Sequence, residues 1–279
     1  MKKKIIIASI VAVVVVVDLF VLLYHTISNR INTHRQSRVI MRYIDDVAAM
    51  DDGNAKAILD AARAYNLDLL ENVTRFRPTA EETLHYKGLL NTGREVMGIL
   101  VIDKLDIKLP IYHGTDEGVL QVGLGHMQGT SLPVGGVGTH AFITGHRGLP
   151  SSKLLTNLDK MAEGDTFVLY VLSETMTYQV DFIQTVEPHV VEALDIDPDM
   201  DCCTLVTCTP YGVNTHRLLV RGRRVENAAN TGWEAIHADA RRLDKLLIIA
   251  LFMIPASPVI LLSAAAACVK IHKKGKLKP

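Results

Sequence analysis

Two long apolar runs, Ile5 to Leu23 and Leu246 to Val269, constrain this chain more than any other feature. Each matches the ~20 apolar residues that cross a bilayer core. Lys2, Lys3 and Lys4 precede the first run; Lys270, Lys273, Lys274, Lys276 and Lys278 follow the second. Lysine clusters stay on the cytoplasmic side. The expectation is therefore two spans with both ends inside and residues 25–245 outside the cell. After the first run the chain continues Tyr24-His25-Thr26-Ile27, without a small-x-small cleavage site. That reads as a retained signal anchor and not a removable signal peptide. Asp18 lies inside the first run. A mid-bilayer carboxylate costs ~2.5–3.5 kcal/mol, but Asp18 is off-centre and reads as partly solvated or protonated near the outer interface. Pro255 and Pro258 predict a kink in the second run. A buried core helix is the alternative there; the length, the lack of charge and the lysine tail speak against it.

Those ends hide the charge of the part between them. The chain has 30 basic and 30 acidic residues, and the ends hold eight of the basic ones but only Asp18 of the acidic. The external part is left with 22 basic and 29 acidic residues, a net charge of −7. That sign disfavours nucleic acid as a partner. The lysine tails suit the anionic headgroups of the plasma membrane. Of the four cysteines, Cys268 lies in the second run, and Cys202, Cys203 and Cys208 are external. Their spacing with histidine does not suit zinc, and so few do not make a disulfide scaffold. Cys202 and Cys203, adjacent and on opposite faces of a strand, read as packing residues.

The external part divides in two. Val39 to Leu70 has apolar residues at helical spacing, among them Ile40, Ile44, Val47, Ile58, Ala62 and Tyr65. A break at Asp51-Asp52-Gly53 would make Asn54 the cap of a second helix. Thr79-Ala80-Glu81-Glu82 fits a capping box for a third, running through Leu84 and Leu89 towards Asn91. Between them, Pro78 forces Val73–Arg77 into an extended break. From Met97 the pattern becomes short Val/Ile/Leu/Tyr runs between Gly, Pro, Asp and Asn. Strands are expected at Met97–Ile102, Ile107–Tyr112, His140–Thr144, Thr166–Val171, Met176–Glu187, Thr204–Cys208 and His216–Val225, with helical turns at Gly118–Gly123 and Ser152–Leu158. Such strands make a barrel or a sandwich; periodicity alone leaves both open.

One strand ends in chemistry. Thr204-Leu205-Val206-Thr207-Cys208 runs into Thr209-Pro210-Tyr211-Gly212, so a thiol stands at a strand end, where it can face a cleft. His216-Arg217-Leu218-Leu219-Val220-Arg221 follows, and Thr144-Gly145-His146-Arg147-Gly148 lies upstream. A Cys, a His and an Arg in such places suggest acyl transfer through a thiolate. The bland readings are a buried structural cysteine, a surface histidine and salt-bridging arginines.

These segments resemble the sortases, and most closely the pilin-polymerising class C. The likeness includes Leu109–Thr115, Gly125–Pro133 and Gly145–Pro150, covers roughly Met97 to Arg224, and extends loosely to the helices before it. It implies a mainly β fold, an eight-stranded barrel with an N-terminal helical arm. The implied segments are 1–4 cytoplasmic, 5–24 signal anchor, 25–96 helical arm with a possible lid, 97–226 catalytic barrel, 227–245 linker, 246–269 second transmembrane helix and 270–279 basic tail. Cys208 would be the nucleophile and His146 the acid and base. Arg217, nine residues after the cysteine, would stabilise the oxyanion or hold the peptide. His126 and His216 sit in matching segments but not at the family's catalytic position; Arg147 is a weaker rival to Arg217, and Arg221, Arg223 and Arg224 read as surface or salt-bridge residues. The order His, Cys, Arg differs from papain-type proteases, where Cys precedes His. The implied substrates are LPXTG-bearing pilins and surface proteins, cut between Thr and Gly and joined to a pilin lysine, with no metal or organic cofactor. The alternatives are a housekeeping sortase that attaches proteins to the wall, and a non-enzymatic two-span protein. The family's lid carries Asp-Pro before an aromatic residue; here Thr74-Arg75-Phe76-Arg77-Pro78 has Phe76 but no Asp-Pro, so the segment is either an ordinary linker between helices or a lid that lays Phe76 over Cys208 by apolar contact alone.

Overall fold

The computed structural model describes residues 2–93, 95–188 and 194–227. Eight strands close into one barrel: β1 (Val96–Ile102), β2 (Ile107–His113), β3 (Leu124–His126), β4 (Thr139–Thr144), β5 (Thr166–Val171), β6 (Glu174–Val186), β7 (Asp201–Thr209) and β8 (His216–Val225). Their order around it is β1-β2-β3-β4-β7-β8-β6-β5. Closure answers the choice that periodicity left open. Ile102, Leu109, Ile143, Leu169, Leu205 and Val220 belong to the cluster that fills the barrel.

Two neighbouring pairs are parallel, β2 with β3 and β4 with β7. A parallel pair needs a crossover, and α4 (Glu117–Leu120) lies within the one from β2 to β3. The other carries β5 and β6 before the chain returns as β7, so β4 and β7 meet from far apart in sequence. β3 was not expected. It has three residues, too few for alternation to show, and it begins beside a close approach: a Cβ on Gly125 would collide with the Gly114 carbonyl.

Three helices precede the barrel: α1 (Lys2–Ala48), α2 (Asp52–Glu71) and α3 (Ala80–Gly88). They dock on it. Ile40, Tyr43 and Ile44 of α1 pack on Ile99, Val101, Val168 and Tyr170, the outer face of β1 and β5. Burying such side chains stabilises by ~1.5–3 kcal/mol each. The Tyr43 hydroxyl donates to the Met97 carbonyl at 3.1 Å and accepts from the Leu172 amide at 2.8 Å. Asn66 of α2 bonds both ways to the Leu132 backbone, at 3.0 and 2.7 Å.

Two helix boundaries differ from expectation. The cap of α2 is Asp51, not Asn54: its carboxylate accepts from the Asn54 amide at 3.2 Å. Asp51 is extended, so Asp52 and Gly53 already form the first turn. Thr79 does cap α3 with Glu82 in a full capping box, but the helix stops at Gly88, short of Asn91. Leu90 takes a positive φ and is fully buried, which turns the chain into the core.

Among the described residues no helix is long and apolar enough to cross a membrane. Ile5 to Leu23 falls within α1, but most of its side chains lie outside the described residues; 246–269, the tail and the linker beyond Asn227 lie wholly outside them.

Candidate active site

Register brings the three chosen residues together. β7 and β8 are antiparallel with Cys208 opposite Arg217. Residues directly opposite share a face, with Cβ atoms ~4.5–5.5 Å apart. β4 runs parallel to β7 with Thr144 paired to Val206. The pairing continues past the end of β4. The Gly145 amide donates to the Val206 carbonyl at 3.0 Å. The Thr207 hydroxyl donates to the Gly145 carbonyl at 2.8 Å, across a separation of 62 residues. Arg147 Nη1 donates to Thr209 Oγ1 at 3.3 Å, again 62 residues apart. The residue between these two staples is His146, and the one between their partners is Cys208. His146, Cys208 and Arg217 thus form one row across β4, β7 and β8.

Alternation puts that row on the outside of the barrel. Cys203, Leu205 and Thr207 point inward, so Cys208 points out and is half-buried. A Cβ on Gly145 would lie 2.5 Å from Leu124 Cδ2, so that position faces the packed interior and His146 faces away from it. Cys202 and Cys203 are both buried, on opposite faces, as expected of packing residues. Burial pushes both thiols up, Cys203 the further.

Each member of the row has its own setting. Arg217 Nη1 donates to the carbonyls of Asn214 and His216, at 3.3 and 3.1 Å. Among the described residues its bonds use Nη1 only, and a guanidinium is a planar fork of five donors. His146 is 24% exposed in its side chain, and its Nε2 lies 3.4 Å from Glu117 Oε1 on α4. Nε2 makes no hydrogen bond within the usual geometric limits among the described residues. The Glu117 carboxyl is held below its usual range first by the Gln121 side chain, which donates to it, and then by His146. Sequence reasoning missed Glu117, because nothing in the α4 segment marks it.

The rivals are accounted for. His126 is fully buried; its Nδ1 meets the Tyr86 hydroxyl at 2.9 Å and its Nε2 the Ser131 carbonyl at 2.8 Å. Burial pushes it down to about 4, so it is a neutral core histidine. Arg221 is held in a fork by Asp181, at 3.0 and 2.9 Å. Arg147 spans Thr209 and Asp159, the latter at 2.6 Å, and so fastens the His146 loop. His216 bonds its neighbour Thr215 at 2.9 Å.

Below this row the outer face continues as a groove. Phe142, Val206 and Leu219 form an apolar cluster flanked by Met127, Val186 and Leu194. Leu194 and Asp195, between β6 and β7, are gripped from two sides. His140 Nδ1 meets the Asp195 carbonyl at 2.8 Å, and its Nε2 meets Thr204 Oγ1 at 2.8 Å. From the helical arm, Arg75 Nη2 donates to the Leu194 carbonyl at 3.2 Å. Phe76 lies beside Gly129, whose positive φ and open Cα make room for it: a Cβ there would be 2.7 Å from the ring. The ring is 42% exposed and stacks under the Arg75 guanidinium, 4.9 Å from its centroid.

The comparisons with known proteins agree with this architecture. The Sortase domain family matches residues 100–225. The crystal structure of sortase C1 from Streptococcus agalactiae is similar at 49% identity, with a TM-score of 0.66, over 68% of this chain and 100% of that one. Sortase C from Streptococcus pneumoniae is similar at 42% identity and a TM-score of 0.62, over 69% of this chain and 98% of its own. Sortase A of Streptococcus agalactiae is 34% identical over 128 residues; the match spans 45% of this chain and about half, 51%, of that protein. Identity near one half, sustained over all of another chain, goes beyond a shared barrel: this chain belongs to the sortase family.

Proposed function

We propose that this chain is a class C sortase, a cysteine transpeptidase that polymerises pilins. The observation that carries the reading is the row of His146, Cys208 and Arg217, fixed by two strand registers and two staples. The Streptococcus pneumoniae sortase C is associated with pilin substrate specificity, and the likeness brings that substrate class to this proposal.

The row suits the following sequence. The Cys208 thiolate attacks the carbonyl carbon of the threonine in an LPXTG-like signal. The carbonyl oxygen takes up the negative charge, and the Arg217 fork, on the same face as the sulfur, stabilises it. The oxyanion collapses, the Thr–Gly bond breaks, and His146 gives its proton to the departing glycine amine. A thioester between threonine and Cys208 remains. A pilin lysine amine then attacks the thioester, His146 takes its proton, and the isopeptide forms as the thiolate leaves. No step needs an oxidant or a metal. The lysine clusters and apolar runs at the two ends support anchoring in the plasma membrane by two spans, with the barrel outside the cell.

The test is Cys208→Ala in cells that express an LPXTG-bearing pilin. The substitution removes one sulfur from a half-buried outer position, so the barrel should stay intact by circular dichroism. The ladder of covalent polymers should vanish, while Cys202→Ala keeps it. A ladder formed by the Cys208→Ala enzyme would overturn the reading. A wild-type enzyme that yields a single wall-linked species and no ladder would mark it as a housekeeping sortase.

A further inference from the structure

The outer face of the sheet has room beyond the apolar cluster. Along β7 the outward positions after Cys208 are Val206, Thr204 and Cys202, and along β8 the matching positions after Arg217 are Leu219, Arg221 and Arg223. At the level of Thr204 and Cys202 a cavity of about 520 Å³ opens, lined among others by His140, Gln184, Asp195, Asp197 and Leu219. Leu219 belongs both to this cavity and to the apolar cluster, so the two are continuous.

The direction of a bound signal follows from the sheet. Past Cys208 the strand ends at Thr209 and the chain turns through Pro210-Tyr211-Gly212. The outer face therefore extends to only one side of the sulfur, towards Val206. The acyl half of the signal must stay bound while the thioester lasts, so it occupies that side, and the leaving half departs past the turn. Thr204 lies four residues from Cys208, ~13 Å at ~3.3 Å per residue. Four extended acyl residues, Leu-Pro-x-Thr, reach about as far. The residue before the leucine arrives at the cavity.

The charge of the cavity is uneven. Arg221 is already matched by the Asp181 fork. His140 is neutral, held down by burial and bonded to Thr204 and to the Asp195 backbone. The Asp195 carboxylate is 83% exposed in its side chain, with Arg75 no nearer than 3.9 Å. Asp197 is exposed too, and one of its oxygens accepts from the Asp199 amide at 2.9 Å. Two carboxylates rim the cavity, and among its described lining residues the cation, Arg221, is already paired.

We propose that this cavity is a subsite for the residue immediately N-terminal to the leucine of the sorting signal, and that it favours a basic side chain there. The inference rests on the reading of the groove as a sorting-signal site. The experiment uses the full-length enzyme in detergent micelles and three fluorogenic peptides, identical except for Lys, Ala or Glu just before the leucine. We expect kcat/KM to fall in the order Lys, Ala, Glu, by about two- to fivefold per step, the range of exposed ion pairs. The preference should shrink at high salt. Asp197→Asn keeps an oxygen for the Asp199 amide and should weaken the preference; Asp195→Lys with Asp197→Lys should reverse it. Equal kcat/KM for the three peptides would overturn the inference and leave the sortase reading standing. Failure of the wild-type enzyme to cleave any of them, in a preparation whose Cys208 still alkylates, would overturn the proposed transpeptidase activity on LPXTG-like signals.

Discussion

The staple between Thr207 and Gly145 gives the sharpest test of how the site is held together. Thr207 is 1% exposed, and its hydroxyl donates to the Gly145 carbonyl at 2.8 Å. Thr207→Val keeps the shape and removes the donor. A neutral hydrogen bond contributes a net ~0.5–1.5 kcal/mol, and leaving a buried acceptor unpaired costs ~1–3 kcal/mol. The variant should therefore lose roughly 1–3 kcal/mol of stability, read as a lower urea midpoint by far-UV circular dichroism in detergent. The kinetic effect should be larger. Gly145 is the residue before His146, and β4 and β7 are joined here by few bonds beyond the end of β4. A misplacement of ~1 Å costs about 10² in rate. We expect kcat on a sorting-signal peptide to fall by ~10–100-fold with KM nearly unchanged. Thr207→Ser keeps the hydroxyl and should recover most of kcat. A Val variant that loses stability but keeps kcat would show that the staple does not position His146. Equal impairment of Ser and Val would assign the effect to the lost methyl and not to the hydrogen bond.

Three further predictions follow from the same geometry. Arg217→Lys keeps the charge but loses the planar fork, so turnover should drop by ~10²–10³, while Arg223→Lys, at an exposed position, should be nearly normal; equal activities would remove Arg217 from the site. The neutral His126 makes stability depend on pH: its folded value, about 4, lies below the unfolded value of ~6.5, so the unfolded chain binds the proton first and stability falls as pH drops from ~6.5 towards 4. The loss from His126 is roughly 3 kcal/mol, His113 and His140 add to it in the same direction, and urea midpoints that stay flat from pH 7 to 4.5 would contradict it. For topology, a cysteine placed at Glu226 in the Cys208→Ala enzyme should react with a membrane-impermeant maleimide on intact protoplasts, and one placed at Leu277 should not; labelling at both would mean that the second apolar run does not cross.

The three row residues could be named from sequence because short segments carry them: a strand ending in Cys208 before a proline turn was readable by itself, while His146 between glycines and Arg217 nine residues past the cysteine were singled out by the family resemblance. What brings them together was not legible. The pairing of β4 with β7 joins residues 62 apart across the hairpin of β5 and β6, and a parallel pair leaves no turn signal from which a register could be read. Glu117, Thr207 and His140 were invisible for the same reason, since their partners lie on other strands or in crossovers. β3 was too short to show a period. The helix caps divide by mechanism: the box at Thr79 and Glu82 is a local sequence code and could be read, whereas Asp51 and Asn54 are both good capping residues, and only the backbone conformation at Asp51 separates them.

The segment around Phe76 shows how a missing motif changes what a strap can do. Without Asp-Pro, the expectation was a lid held over Cys208 by apolar contact alone. The structure sets Phe76 against Gly129, on the loop after β3, and gives the segment a polar hold as well: the Arg75 guanidinium on the Leu194 carbonyl. Leu194 packs on the Phe142, Val206 and Leu219 cluster, and the next residue is gripped from below by His140. Arg75 and His140 thus fix one wall of the groove from opposite sides. His140 is buried and bonded through both ring nitrogens. Arg75 holds with a bond to one carbonyl and a 3.9 Å approach to an exposed carboxylate, and its companion ring is half in water. A hydrogen bond from a charged donor such as this one contributes ~1.5–3 kcal/mol. Through Arg75 the helical arm thus reaches the same wall that His140 holds from the barrel.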